Sequence, residues 1–534
     1  MSVPPQSIEQ YRHAFEANAL TREQIGALLD AVGDLSRQVE WFKRQLFGQK
    51  SERRLADADP TQGSLGQNFD QIPTDRPANK KLAVAAHERE RQPKTPATST
   101  EDAQPFFDEA RVPIERIEVA NPQIADLAPE QYEVVGEKTT YRLAQRPGAY
   151  VVLKYVRKVV KLRETQKLLC PPAPVGVIEG SRADVSFIAG MMVDKLVYHL
   201  PLYRQHQRVQ AAGLRVSRPW FTQLMQSGVQ LLEPVYDAHL TSVLSSRIKA
   251  MDETPIKAGV VAPGKMKQAY FWPVYGELDE ICFYYFPDRS YGNVARALGL
   301  KPPDGAVLIS DGYGAYAEYA KKVGLTHAHC WAHARREVYE ARDIEPTDAE
   351  QALEKIAEFY EIEDDIRARN LTGSAKLAER QTRAKPKVEA FLRWVDKKFE
   401  QIGLLPSNPF LKALAYIRDR REELKVYLRD ADVPIDTNHL ERALRVVPMG
   451  RKNWMFCWTE LGARHIAMMQ SLLTTCRLQG VDPYDYLVDV LQRVSQHPAS
   501  RVEELTPRRW KELYAANPLR SQLHEFVAPL KNAA

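Results

Sequence analysis

Five consecutive residues, Ala306-Val307-Leu308-Ile309-Ser310, form a nearly unbroken apolar run that ends on Asp311-Gly312-Tyr313-Gly314. Such a run suits a strand covered on both faces, because a strand with one wet face would alternate. Covering both faces calls for helices on either side of the strand in sequence. The flanks supply them: Asn293–Leu298 and Ala315–Val323 read as helices, and Thr326–Trp331 reads as the next strand. Upstream, Ile248–Met251, Gln268–Tyr275 and Ile281–Phe286 are rich in β-branched and aromatic residues, with Gly276-Glu277 as a turn between the last two. They predict an antiparallel meander.

A meander feeding parallel β-α-β units predicts an α/β fold with an RNase H-like core, a mixed five-stranded sheet whose first and fourth strands are neighbours. Asp252 and Asp311 follow those two strands, so their carboxylates converge despite their separation in sequence. Neighbouring carboxylates repel, and paired divalent cations supply a reason to keep them together. A third carboxylate lies beyond a long helical stretch, Pro346 to about Arg429, in Asp436-Thr437-Asn438-His439-Leu440-Glu441-Arg442-Ala443-Leu444-Arg445. On a helix Asn438 and Glu441 share a face and Arg445 follows Glu441 by four. Asp436, at the helix start, reads as a cap. Glu253, next to Asp252 on a strand, is expected to point the other way. Gly450-Arg451-Lys452-Asn453-Trp454 reads as a loop that joins two cations to an aromatic, as nucleic-acid grooves do. Arg335 and Arg336 are candidate phosphate contacts. Among His327, His329, Cys330 and His333, a packing or hydrogen-bonding role beside the site is preferred to zinc binding, with Cys330, His333 and Asn438 as supporting residues.

The rest of the chain divides readily. Ile25, Leu28, Val32, Leu35, Val39, Phe42 and Leu46 alternate spacings of three and four, the seam of a short coiled coil through which the chain would form a homodimer or larger assembly. From Ala56 to about Gln104 periodicity is lost, as in a flexible linker. Tyr150–Leu162 alternates as a strand, paired with Thr139–Leu143, and its KYVRKVVK segment suggests a basic face. Phe187–Tyr198, Pro201–Ala212 and a third helix capped by Ser217 and running to Leu232 follow, with Arg204, His206 and Arg208 expected outward; the Gly213 turn gives helix-turn-helix spacing. The expected units are 1–54 (coiled coil), 55–110 (linker), 111–180 (small β-rich unit), 181–245 (helix-turn-helix region), 246–345 and 431–478 (catalytic core), 346–430 (helical insertion) and 479–534 (C-terminal domain). The net charge of +5 permits a nucleic-acid partner without demanding one. Five cysteines without a C-x-x-C pair fit a reducing compartment. No apolar run approaches the roughly 20 residues of a membrane span, so a soluble, cytoplasmic, nucleoid-associated protein is expected.

In their order, Met251-Asp252-Glu253-Thr254-Pro255, Ser310-Asp311-Gly312-Tyr313, His329-Cys330-Trp331-Ala332-His333-Ala334-Arg335-Arg336, Asn438-x-x-Glu441-Arg442-Ala443-Leu444-Arg445 and Gly450-Arg451-Lys452-Asn453-Trp454 resemble transposases of the IS66 insertion-sequence family. The resemblance covers nearly the whole chain. It implies DDE chemistry on double-stranded DNA, both the element's terminal inverted repeats and the target. Two Mg²⁺ (or Mn²⁺) ions would be held by Asp252, Asp311 and Glu441 in the DNA-bound state, promoting in-line attack of water or a DNA 3′-hydroxyl on phosphorus. It also suggests accessory proteins encoded by the same element. The chain departs from the family in one respect. Members usually carry a cysteine-rich zinc domain, yet Val112–Pro174 holds only Cys170, so no zinc is expected there. Two other readings share these residues: an RNase H-like nuclease or resolvase without joining activity, and a non-catalytic DNA-binding regulator derived from a transposase.

Overall fold

A computed structural model describes residues 106–526, apart from 110–111, 126, 147–148, 263–264, 402–407 and 454–456, together with Arg22 and Ile25. The heptad seam beyond Ile25, most of the 55–110 linker, and Trp454 lie outside the described residues.

A first sheet is built from β1 (Ile114–Val119), β2 (Tyr132–Arg146), β3 (Ala149–Leu162) and β4 (Leu168–Leu169). β2 and β3 form a long antiparallel hairpin, with Thr139 opposite Val156 and Leu143 opposite Val152, while β1 runs parallel to β3. The KYVRKVVK segment does not present one basic face. Strand alternation sends Lys154 and Lys158 to one side and Arg157 and Lys161 to the other. Three of these cations are engaged within the sheet region: Lys158 pairs with Glu118 at 3.4 Å, Arg157 donates to Pro171 O and Thr140 Oγ1 at 3.2 Å each, and Lys154 lies over the Tyr141 ring, 5.8 Å from its centroid.

Helices Val185–Leu196, Leu202–Ala211, Arg218–Leu231 and Glu233–Ser245 follow. Ser217 caps the third, its Oγ accepting from Trp220 N–H at 3.4 Å, with Pro219 in the first turn. His206 is not outward as expected. Its ring is buried against Phe221, with Nε2 2.8 Å from Val216 O, because the second helix turns that side onto the third.

The second sheet contains β5 (Ile248–Met251), β6 (Thr254–Ala262), β7 (Lys265–Gly276), β8 (Glu280–Phe286), β9 (Val307–Ser310) and β10 (Thr326–His329). The expected five strands are six. β5 and β6 lie end to end along β7 in one continuous register, Met251 opposite Val274 and Thr254 opposite Phe271. The break between them faces Trp272-Pro273, where proline has no N–H to give to the ladder. With β5 and β6 taken together, the sheet runs β8, β7, β5/β6, β9, β10; β5, β9 and β10 are parallel and β7 is antiparallel to both its neighbours. β5 and β9 are fully buried, as the apolar run predicted for β9.

The outer edge of β8 is closed by side chains. Ile281 N–H donates to Thr475 Oγ1 at 3.1 Å and Phe283 N–H to Ser471 Oγ at 2.8 Å, both from the buried helix Glu460–Leu478. Tyr236 OH donates to Phe283 O at 3.1 Å, and His239 Nε2 lies 3.0 Å from Ile281 O. A strand edge that would otherwise template pairing is thereby satisfied.

After helix Trp331–Glu340, an insertion of helices, the longest of them Pro346–Ala368, Lys385–Gln401 and Pro409–Asp419, precedes Asn438–Leu444 and Val446–Asn453. Its end is tied to the start of β5 by Arg247, which pairs with Asp430 at 2.7 Å and Asp432 at 3.0 Å. Among the described residues no helix is long and apolar enough to cross a membrane.

Candidate functional site

Parallel pairing of β5 and β9 in the register Ala250 opposite Ile309 leaves Asp252 and Asp311 side by side, two residues past the last pair. Each carboxylate spends one oxygen on a nearby backbone donor. Asp252 Oδ1 accepts from Glu253 N–H at 2.7 Å, and Asp311 Oδ1 from Tyr313 N–H at 3.0 Å. These bonds fix the side chains and leave the second oxygen of each for other work.

Glu253 does not point away. One oxygen each from Asp252, Glu253 and Asp311 lies within 4.8 Å of the others. Strict alternation fails because Asp252 and Glu253 occupy the break between β5 and β6, where neither is held in a regular strand. The Glu253 side chain is nearly inaccessible and is bound by the Arg289 guanidinium and the Tyr316 hydroxyl. Arg289 in turn lies over the Tyr313 ring, 4.7 Å from its centroid. Sequence reasoning missed Glu253, Arg289 and Tyr316 as a group. The legible signal was Pro273 within the partner strand, which marks a break in the ladder.

Glu441 reaches the same place from the other side of the insertion. Trp331 N–H donates to Ile435 O at 3.1 Å, and Thr437 donates from both N–H and Oγ1 to Cys330 Sγ at 3.2 Å. These contacts weld the start of the Asn438–Leu444 helix to the end of β10. Asp436 is buried, one residue before the N-cap Thr437, and accepts from Asn438 N–H at 3.0 Å and from Asn438 Nδ2 at 2.5 Å at the start of the helix that carries Glu441. Glu441 Oε1 stands 3.7 Å from His333 Nε2, outside the three-carboxylate group but close enough for its charge to act on Asp252.

The electrostatics follow from burial. Asp252 is pushed up to about 8, first by desolvation and then by the charges of Glu441, Glu253 and Asp311, against the Glu253 N–H that favours its ionised form. Burial also raises Glu253, with Tyr316 and Arg289 opposing. His333 is lowered, chiefly by burial, so at neutral pH it meets Glu441 as a neutral imidazole. Burial lowers His327 to about 4 and His329 to about 3. Among the described residues, the carboxylates of Asp252, Glu253 and Asp311 form the group spaced to hold a metal ion. Hard oxygen donors of this kind suit Mg²⁺ or Mn²⁺.

Arg335 and Arg336 on helix Trp331–Glu340, Arg442 on helix Asn438–Leu444 and Arg445 at the C-cap of the latter are exposed. Arg451 and Lys452 are exposed too, but on the last turn of helix Val446–Asn453 and not in a loop. Three apolar or small residues there, Val446, Val447 and Gly450, are buried, and that packing continues the helix across the glycine. Arg451 Nη1 donates to Pro255 O at 2.8 Å, just beyond Asp252-Glu253.

Residues 180–465 match the family described as Transposase IS66 family, 471–508 the IS66 C-terminal element, and 34–105 a region described as Transposase C of IS166 homeodomain. Two uncharacterized proteins of Sinorhizobium fredii (strain NBRC 101917 / NGR234) are similar over most of their length. One, y4hP, is 28% identical across 90% of this chain and 89% of its own. The other, y4qI, is 31% identical across 74% and 76% respectively.

Proposed function

This chain belongs to the IS66 transposase family, and from that premise we propose that it binds the ends of its element and cuts and joins DNA by DDE chemistry on an RNase H-like core. The observation that carries the reading is the meeting of Asp252 and Asp311 at the ends of neighbouring parallel strands, with Glu441 brought beside them from beyond a helical insertion. The strand order β8, β7, β5/β6, β9, β10 supports the RNase H-like assignment.

Asp252, Asp311 and Glu441 are the residues that would hold Mg²⁺ or Mn²⁺, with Glu253 alongside. Bound divalent ions supply charge neutralisation at phosphorus and lower the pKa of an attacking water or hydroxyl. The backbone bonds to Asp252 and Asp311 hold one oxygen of each, so the free oxygens are presented without loss of side-chain freedom at the moment of binding. Asp252 must release its proton to become a ligand. His333 stands 3.7 Å from Glu441 Oε1 and, being neutral, adds no competing positive charge. Arg335, Arg336, Arg442, Arg445, Arg451 and Lys452 line the approach with cations for DNA phosphates. Asn438 and Cys330 act through the helix start that they brace. Helices Leu202–Ala211 and Arg218–Leu231 are the proposed helix-turn-helix, and residues 25–46 the self-association segment. Accessory proteins of the same element, and work at the bacterial nucleoid, complete the reading.

Purified protein incubated with DNA carrying the element's ends and Mg²⁺ or Mn²⁺ should yield nicked and joined products. Asp252→Asn, Asp311→Asn and Glu441→Gln should abolish both. Wild type and Asp252→Asn behaving alike would overturn the proposal, and cleavage without joining would favour a nuclease.

A further inference from the structure

The helical insertion touches the active-site turn directly. A Cβ placed on Gly312 would come within 2.6 Å of Tyr416 Cε2 and 3.1 Å of Arg420 Nε, so the backbone next to Asp311 is packed hard on these two side chains. Arg420 Nη2 donates to Gly312 O at 3.3 Å, and Nη1 donates to Tyr416 O at 3.4 Å. The guanidinium lies over the Tyr416 ring, 4.1 Å from its centroid, and the same ring meets His329 edge-on at 6.5 Å. Tyr416 is thus wedged between the end of β10 and the turn that follows β9. Both contacts come from the end of one insertion helix, Pro409–Asp419 and its C-cap, about a hundred residues further along the chain.

We propose that Arg420, seated on Tyr416, is a positioning residue for Asp311: the insertion fixes the Asp311-Gly312 turn from outside, as the Tyr313 N–H fixes it from within. This rests on the reading of Asp252 and Asp311 as divalent-ion ligands. Residues that hold a ligand in place without touching the ion commonly govern metal affinity. A rival role is simple charge. Arg420 as a through-space cation would repel a bound ion, and the two roles give opposite results on substitution.

The test is Mn²⁺ binding to the full-length protein, followed by the electron paramagnetic resonance of free Mn²⁺, with melting temperature measured alongside. Positioning predicts that Arg420→Lys and Arg420→Gln both weaken binding, by about tenfold. Gly312→Ala, which presses on the same contact from the other side, should weaken it too and covers the case in which an Arg420 variant fails to fold. Unchanged binding in Arg420→Lys together with tighter binding in Arg420→Gln would overturn the proposal in favour of charge. Asp252→Asn is the control: if it leaves Mn²⁺ binding intact, the ligand assignment fails and the positioning role falls with it. If it abolishes binding while the Arg420 and Gly312 variants match wild type, only the positioning role is lost.

Discussion

Arg380 and Glu363 form an ion pair closed off from solvent, Nε and Nη2 each donating to a carboxylate oxygen at 2.8 Å. Arg380 Nη1 also sits among the carbonyls of Tyr427, Asp430, Ala431 and Val433, at 2.8 to 3.2 Å. The pair therefore gathers the strand of chain that leads out of the insertion toward Ile435, Asp436 and Glu441. Arg380→Met strands a buried carboxylate and four carbonyls, and should destabilise the protein by about 3–5 kcal/mol in chemical denaturation. Adding Glu363→Gln should restore part of that loss. A single variant as stable as wild type would show that the pair holds nothing in place.

The raised Asp252 gives a pH prediction with a definite sign. Folded protein keeps this proton up to about pH 8, whereas an unfolded aspartate releases it near 4. The folded state thus binds more protons across that window, and the contribution of Asp252 to stability falls as pH rises through it. Asp252→Asn should melt above wild type in the absence of metal, by about 1–3 °C, with the gap widening from pH 5 to pH 8. A gap that stays constant with pH would assign the effect to something other than ionisation.

Divalent binding should show the converse dependence. A metal must displace the Asp252 proton, so Mn²⁺ affinity should rise with pH and level off above about 8. Titration calorimetry in buffers of differing ionisation enthalpy would count the protons released. Zero protons at pH 7 would contradict the assignment.

Glu253 can be separated from the other acids. Its charge helps to raise Asp252, and Arg289 with Tyr316 already binds it. Glu253→Gln should move the pH midpoint of Mn²⁺ binding downward and cost DNA joining about tenfold, against about a thousandfold for Asp252→Asn. Equal losses would make Glu253 an indispensable ligand.

The closed edge of β8 is testable without any activity assay. Thr475→Val and Ser471→Ala each leave a buried backbone N–H without its acceptor, and each should cost about 1–3 kcal/mol in urea unfolding. The edge would need another explanation if neither variant lost stability.

What the chain's own pattern determined was local. The apolar run of β9, the aromatic strands before it and the capped helices after Ser217 were legible because burial on one or two faces writes a period into adjacent residues. With strand order inferred, that was enough to set Asp252 and Asp311 side by side. What tertiary structure decided depended on partners far away in sequence. Glu253 joins the acids because Pro273 on the neighbouring strand interrupts the ladder. His206 is buried by a second helix, and the helix through Gly450 persists because Val446 and Val447 find a core. Glu441 comes to Asp252 through Trp331–Ile435 and Cys330–Thr437, contacts across about a hundred residues. Periodicity reports which side of an element is buried; it carries no record of which distant element does the burying.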